Sequence, residues 1–407
     1  MNDLRKDSAM TADLPLSGLK VVDFTQVMSG PTGTMLLADF GADVTKIEPP
    51  TGDGSRRWGS NRYGDTDQFS ALFLSLNRNK RSIALDLKSP DGLAIARKII
   101  AQADILMENF KPGVMKRLGL GYEQLSKEHP GLIYCSISGF GQTGPLSHRP
   151  GYDQLMQAYA GLLSITGEQG RPAVRIGPTA IDILTGTHGV VGILAALRER
   201  DRSGKGQLID TSLYEAAVHL MTQWICDYSI SKVPPGRSGP YFPFTAPYGI
   251  FQAQDREFYI GVGNQKMWEA FCKELGLEAL LADKQFSTNR LRAKNQRLLY
   301  DVLEPLFRTK PAAHWVEMSE RLGIPYSLIM GVDEVVKQEQ AKAREAVVAI
   351  AGMAPMLTAG LPIKLSRTPG TIRMPPPAIS GNADEILGEL GYSADDIARM
   401  RQSGGVV

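Results

Sequence analysis

Leu19-Lys20-Val21-Val22-Asp23-Phe24, then Ser29-Gly30-Pro31, then Val44-Thr45-Lys46-Ile47-Glu48 follow in quick succession near the start of the chain. The first and last are short apolar runs rich in β-branched residues and bounded by turn formers, so they read as buried strands. Between them Pro31 suits the first turn of a helix. That helix is predicted to run to about Phe40, with Gly41 as its left-handed stop. Strand, helix and strand in this order form a βαβ unit, which pairs its strands in parallel. Further along, Leu93, Ala96, Ile99 and Ile100 share one helical face, and Ile105-Leu106-Met107 and Leu132-Ile133-Tyr134-Cys135-Ser136-Ile137 read as strands. The rhythm predicts an α/β protein with a mostly parallel sheet covered by helices.

After a helical stretch from Thr185 to Arg200 the texture changes. Residues 233–248 hold prolines, glycines and aromatics and read as an exposed connection. Phe258, Ile260 and Val262 alternate as in a half-buried strand, and helical segments fill about 265–330. From Gly331 the chain returns to strand and loop character, with Pro375-Pro376-Pro377 as a rigid stretch and a short helix near Glu385–Leu390. There is no internal repeat or low-complexity tract.

With 407 residues the chain has room for two or three domains. A formal net charge of +2 gives no argument for nucleic acid or a membrane surface. Cys135, Cys226 and Cys272 lack C-x-x-C spacing and are expected to be buried thiols in a reducing compartment. The five histidines form no H-x-x-x-H pair, so no metal site is expected. Asp3, Arg5, Lys6, Asp7 and Asp13 mark the N-terminus as neither a signal nor a transit peptide. The apolar stretch Gly189–Leu197 falls short of the ~20 residues of a membrane span. The chain is expected in the cytoplasm.

Three features invite chemistry. Gly30 and Gly33 follow a strand, but the spacing is not that of G-x-G-x-x-G, and a tight strand-to-helix turn accounts for them. Arg78, Lys80, Arg81, Lys88 and Arg117 could hold phosphates or form a solvated face of mixed charge. Asp182 precedes a long apolar helix, where it could cap backbone N–H groups. A carboxylate in that position, partly buried and poorly hydrated, could equally serve as a covalent nucleophile. His188 reads as a packed core or interface histidine, and Trp58 and Tyr152 as substrate walls or packing.

Several short motifs occur in a fixed order: Phe24-Thr25-Gln26-Val27 with Gly30-Pro31; Gly41-Ala42-Asp43-Val44; Asn79-Lys80-Arg81-Ser82-Ile83 with Leu85-Asp86; Glu108-Asn109-Phe110 with Pro112-Gly113; Ser138-Gly139-Phe140-Gly141; Pro150-Gly151-Tyr152-Asp153; Asp182 with Thr185-Gly186; and Gly204-Lys205-Gly206-Gln207. This ordered set resembles the class III coenzyme A transferases, the family of formyl-CoA and carnitine CoA transferases, over essentially the whole chain. The resemblance implies a large Rossmann-like domain formed by both chain ends (residues 1–225 and 331–407), a smaller α+β domain with its linker (226–330), and two chains interlocked as a homodimer. It places the family's nucleophile on Asp182, coenzyme A contacts on Gln26, Val27, Leu85, Lys88, Asn109, Phe110 and Arg117, and substrate contacts on Tyr152 and Gly30. It implies acyl-CoA and a free carboxylic acid as substrates, with no tightly bound cofactor.

The implied chemistry exchanges one thioester for another. Asp182 attacks a donor acyl-CoA, giving a mixed anhydride and CoA thiolate. The thiolate attacks the aspartyl carbonyl, releasing the donor acid and leaving an aspartyl-CoA thioester. An acceptor carboxylate then reverses the steps. Gln26 stands where formyl-CoA transferases have a histidine and Pro49 where they have an arginine, and their glycine-run loop has no counterpart, which points away from formyl-CoA and oxalate. Two alternatives stay open: an α-methylacyl-CoA racemase-like enzyme, whose Gly-His-Asp is Gly151-Tyr152-Asp153 here, and a non-catalytic CoA-binding paralogue.

Overall fold

A computed structural model describes residues 14–64 and 66–407; the charged run from Asp3 to Asp13 lies outside them. Six strands, β1 (Lys20–Asp23), β2 (Asp43–Glu48), β3 (Lys80–Ala84), β4 (Ile105–Glu108), β5 (Ile133–Ser138) and β6 (Leu208–Ser212), form one sheet in the order β3-β2-β1-β4-β5-β6. Every pairing in it is parallel. This is the doubly wound Rossmann order, in which the chain builds outward one way from β1 and the other way from β4. Such a sheet opens a crevice beyond the C-terminal ends of β1 and β4, where successive loops leave in opposite directions.

Alternation along the strands divides the core between two faces. Val22, Leu106 and Tyr134 pack with Ile95, Ile99 and Ile100 of the helix Pro90–Ala101 and with Ile386, Leu387 and Met400 from the chain's end. Val21, Ile105, Ile133 and Cys135 pack with Leu36 and Leu37 of the helix Ser29–Asp39 and with Val190, Ile193 and Ala196 of the long helix Ala180–Ser203. The first helix stops as its sequence predicts, with Gly41 at φ 111°. The long helix has the length and apolarity to cross a membrane, but Val190, Ile193 and Ala196 are spent on the sheet.

Beyond Gly331 the chain is more helical than its composition suggests. Its strands there are one short antiparallel pair, Val347–Ala349 with Leu357–Ala359, and helices run over Ala383–Glu389 and Ala394–Gln402. The last of these has only Met400 fully buried, so it lacks an apolar stripe to read. It is started by a capping box between Ser393 and Asp396.

The chain separates into two compact units. The first comprises the described residues up to Gly161, Ile176–Cys226 and Glu339–Val407; the second comprises Leu162–Arg175 and Asp227–Gln338. The second has a three-stranded antiparallel sheet of Tyr248–Gln252, Glu257–Gly261 and Tyr326–Leu328. An aromatic core of Phe251, Phe258, Trp268, Phe271, Phe307 and Trp315 lies within that unit. No disulfide joins the three cysteines; Cys135 and Cys272 are buried, while Cys226, expected inside, is exposed.

The long helix crosses the helix Ser29–Asp39 at glycines. A Cβ on Gly186 would lie 2.2 Å from the Ser29 carbonyl oxygen, and one on Gly33 would lie 2.9 Å from the Gly186 carbonyl. The two helices therefore touch backbone to backbone, which sets the first turn of one beside that of the other. Gly186→Ala is expected to destabilise the protein by up to about 2 kcal/mol. The gain of ~1 kcal/mol in helix propensity is outweighed by overpacking, which costs ~1–3 kcal/mol in a tight core. The obstacle here is backbone, which cannot rotate away. Thermal melting of the variant checks this; an unchanged midpoint would mean that the helices can separate freely.

Candidate active site

The loop after β1 is held in an unusual shape. Val27 has φ 68°, a left-handed conformation that a β-branched residue adopts only when its surroundings impose it. Two ties impose it. The Asn109 side chain, one residue past β4, accepts the Gln26 N–H at 2.8 Å and donates to the Gln26 carbonyl at 2.8 Å. Asp53 accepts the Val27 N–H at 3.1 Å. Asp53 is itself fixed by Lys46 at 3.0 Å and by the Ser55 N–H at 2.8 Å, all of it buried. The loops at the switch point are thus locked to each other.

Above this lock lies a cavity of about 790 Å³. Gln26 and Val27 line it from the β1 side, Asn109 and Phe110 from the β4 side, and Trp58, Arg149, Tyr152 and Asp182 around the rest. Tyr152 is 62% exposed, so its ring meets solvent and is not packing. Arg149 sits 5.8 Å from the centre of the Phe140 ring. The loop bearing Tyr152 passes so close to the one bearing Gly139 that a Cβ on Gly139 would fall 2.6 Å from the Gly151 nitrogen.

Asp182 is not the cap of its helix. It sits in the first turn, and the capping is done from elsewhere. Asp153 Oδ2 accepts the N–H groups of Ile181 at 2.8 Å and Asp182 at 3.2 Å. Asp153 is buried and steadied by Gln157, whose amide donates to its other oxygen at 2.6 Å. This leaves the half-buried Asp182 carboxylate facing the cavity with no hydrogen bond from any described residue. Burial, and secondarily the nearby negative charge of Asp153, push its pKa up to about 7. A carboxylate whose ionised form lacks both solvent and partners is a stronger nucleophile than an exposed one.

The basic cluster comes apart. Arg78 pairs with Asp39 at 2.7 Å and Lys80 with Asp23 at 3.1 Å, both buried; neither can reach a phosphate. Arg81 is engaged by Asp43, Glu385 and Glu389. Lys88 and Arg117 are exposed and carry no ion pair among the described residues. Leu85 is buried in the core, with its N–H bonded to the Glu48 carbonyl. Gly30 is buried too: a Cβ there would lie 2.2 Å from Thr25, so its lack of a side chain serves packing. Gln26, Val27, Asn109, Phe110, Tyr152 and Asp182 therefore meet at the cavity, whereas Leu85, Lys88, Arg117 and Gly30 do not line it. His188 is part-exposed and stacks on His219, with 3.2 Å between ring nitrogens.

The sequence pattern that defines CoA-transferase family III matches residues 16–383. The chain belongs to CoA-transferase family III. It is 37% identical to the mouse succinyl-CoA:glutarate CoA-transferase over 394 residues, covering 96% of this chain and 90% of that protein. It is 40% identical to the acetyl-CoA:oxalate CoA-transferase of Acetobacter aceti over 354 residues, covering 86% and 89%. The crystal structure of a CaiB/BaiF family protein from Brucella suis superposes with a TM-score of 0.84 at 35% identity, covering 93% of this chain and 100% of that one. The protein is thus an enzyme of CoA transfer between acyl-CoA and carboxylic acids. Within that family setting, sequence reasoning had no role for Asp153 or Asp53. Asp153 was visible only as the end of the Pro150-Gly151-Tyr152-Asp153 motif; its capping of the helix at Ile181, like the tie of Asp53 to Val27, spans a sequence separation that no local pattern signals.

Proposed function

We propose that this enzyme moves CoA from a donor acyl-CoA to an acceptor carboxylate through covalent intermediates on Asp182. The carrying observation is the Asp182 carboxylate: half-buried, with no hydrogen bond from any described residue, and aimed into a cavity at the sheet's switch point. Asp182 attacks the thioester carbonyl and the C–S bond breaks, giving a mixed anhydride and CoA thiolate. The thiolate then attacks the aspartyl carbonyl, expels the donor carboxylate and leaves aspartyl-CoA. The acceptor carboxylate attacks that thioester, and the released thiolate attacks the acceptor's acyl carbon, restoring Asp182. Over the full cycle one thioester is consumed and one is formed, with the anhydrides only transient, so the cycle is balanced without a further reactant.

Gln26, Val27, Asn109 and Phe110 form the wall along which the pantetheine arm lies. Lys88 and Arg117, which carry no ion pair among the described residues, supply charge for the nucleotide phosphates, and Leu85 contributes backbone rather than side chain. Tyr152 covers the acyl group. Arg149 is suited to a second carboxylate on the acceptor, in keeping with the glutarate and oxalate in the relatives' names. Oxalate therefore stays among the acceptors to test. We read the functional unit as a homodimer: Ile183, Val191 and Leu194 leave an exposed apolar stripe on the long helix that a monomer would present to water.

Hydroxylamine added during incubation with succinyl-CoA or acetyl-CoA is expected to convert Asp182 to its hydroxamate, read by peptide mass spectrometry. An unmodified Asp182 in a protein that binds the thioester would leave a non-catalytic CoA-binding role. Racemase chemistry predicts solvent deuterium at the α-carbon of a branched acyl-CoA without any acceptor. Tyr152 stands where the racemases have their histidine, and Asp153 is engaged in capping, so no such exchange is expected.

A further inference from the structure

We propose that Glu108 is a positioning residue of the acyl-CoA cavity, holding the Asn109–Pro112 wall in register with the loop Ser138–Gln142. The inference rests on the transfer reading above and extends it to a side chain outside the cavity. Glu108 ends β4 and is 5% exposed. Its Oε2 accepts the Phe110 N–H at 2.9 Å, and its Oε1 accepts the hydroxyl of Ser136. Ser136 lies directly opposite on β5, and Asp210 lies opposite Ser136 on β6. The Gln142 side-chain amide donates to Ser136 Oγ at 2.8 Å, and its backbone N–H donates to Asp210 at 3.0 Å. One row of polar side chains across three strands thus joins two segments that line the acyl-CoA cavity, the Asn109–Pro112 wall and the start of the Ser138–Gln142 loop.

The tie adds to the Asn109 clamp on Gln26 and to the packing of Phe110 against the core. A second cavity, of about 550 Å³, lies on the wall's far side, lined by Glu108, Ser136 and Gln142. Lys111 and Pro112 line both cavities, so the partition there is a single chain thick. Asn109, whose amide clamps Gln26, is the residue next to Glu108. A slack Glu108 would therefore loosen Phe110, Asn109 and the Gln26–Val27 turn together. Burial pushes the Glu108 pKa up to about 7, with Asp210 adding to the effect while Ser136 and the Phe110 N–H work against it. A buried carboxyl is costly, and both its oxygens are used here.

The test separates positioning from chemistry. Glu108→Ala is expected to raise KM for the donor acyl-CoA about tenfold while kcat stays within about threefold, the pattern of binding lost equally in the ground and transition states rather than of a group that acts only in the transition state. Glu108→Gln is expected to restore KM, because an amide can accept the Phe110 N–H and donate to Ser136. Gln142→Ala breaks the same row from the loop side, without removing anything from the core, and should raise KM in the same direction. An unchanged KM in both alanine variants overturns the proposal. So does a kcat loss of more than about tenfold in Glu108→Gln, which would make the carboxyl a proton carrier. CoA affinity measured by calorimetry on wild type and the three variants keeps the two readings apart. A wild-type chain that binds CoA but transfers nothing would sink the transfer mechanism, and the wall would then be judged by the dissociation constants alone.

Discussion

Asp182→Asn is expected to lower CoA transfer by on the order of 10³-fold or more, with acyl-CoA affinity changed only a few fold. The reason lies in what the amide keeps and what it loses. It keeps the shape of the carboxylate and so should leave the helix start undisturbed, because the N–H groups there are capped by Asp153 rather than by Asp182. It loses the electron pair that forms the anhydride. A residue that merely lined the cavity would give the opposite pattern, with affinity falling and turnover little altered. Asp182→Glu grades the claim further. The nucleophile survives but is displaced by one methylene, and a misplacement of about 1 Å costs roughly 10²-fold when attack geometry is limiting. The expected order of turnover is therefore wild type, then Glu, then Asn. Steady-state transfer from succinyl-CoA to a panel of free acids measures it. Asparagine and wild type within tenfold of each other would remove Asp182 from the mechanism.

How much of this was visible in the residues themselves can be judged from the two ends of the site. The βαβ start was legible because Val21-Val22, Val44 and Ile47 are apolar in short β-branched runs, and Gly41 marks the helix end by its left-handed backbone. The sheet order was not, since pairing of β1 with both β2 and β4 is a tertiary choice that no local pattern encodes. Asp182 stood out by its place before an apolar helix, yet its environment did not. Only the fold brings Asp153 beneath it, takes over the capping, and leaves the carboxylate without a partner among the described residues. The basic cluster misled for a related reason. Arg78 and Lys80 look like solvated charge in sequence, but Asp39 and Asp23, far earlier in the chain, bury them as ion pairs. Charge in a sequence tells that a partner is needed, and the fold alone decides whether that partner is a ligand or another side chain. Asn109 shows a third case: the position is right at the cavity, but its amide is occupied with the Gln26 backbone, so its contribution is to hold the wall as much as to touch what binds there.

The raised pKa of Asp182 gives a pH profile with a definite sign. The nucleophile is the ionised form, so kcat/KM for the donor should climb with pH and level off above about 7. Below that point it should fall about tenfold for each pH unit, as a single deprotonation of the free enzyme requires. An ordinary exposed aspartate would give a flat profile over the same range. Burial is the larger cause of the shift and the Asp153 charge the smaller. Asp153→Asn should therefore move the midpoint down without returning it to the usual carboxylate range. The midpoint is the quantity to compare, because this variant also disturbs the Gln157 hydrogen bond and lowers the plateau. Stability follows from the same proton. Between about pH 4 and 7 the folded protein holds a proton on Asp182 that the unfolded chain has released. Ionising this group therefore subtracts from stability as pH rises through that window, and the full cost is present above about 7. Asp182→Asn abolishes the cost, so the variant should melt above wild type at pH 8 and together with it near pH 4. A site that gives up its chemistry and gains stability only where the carboxylate would be charged is one in which the fold holds that charge at a loss. Equal melting at pH 8, with a flat rate profile, would mean that the Asp182 carboxylate is solvated after all.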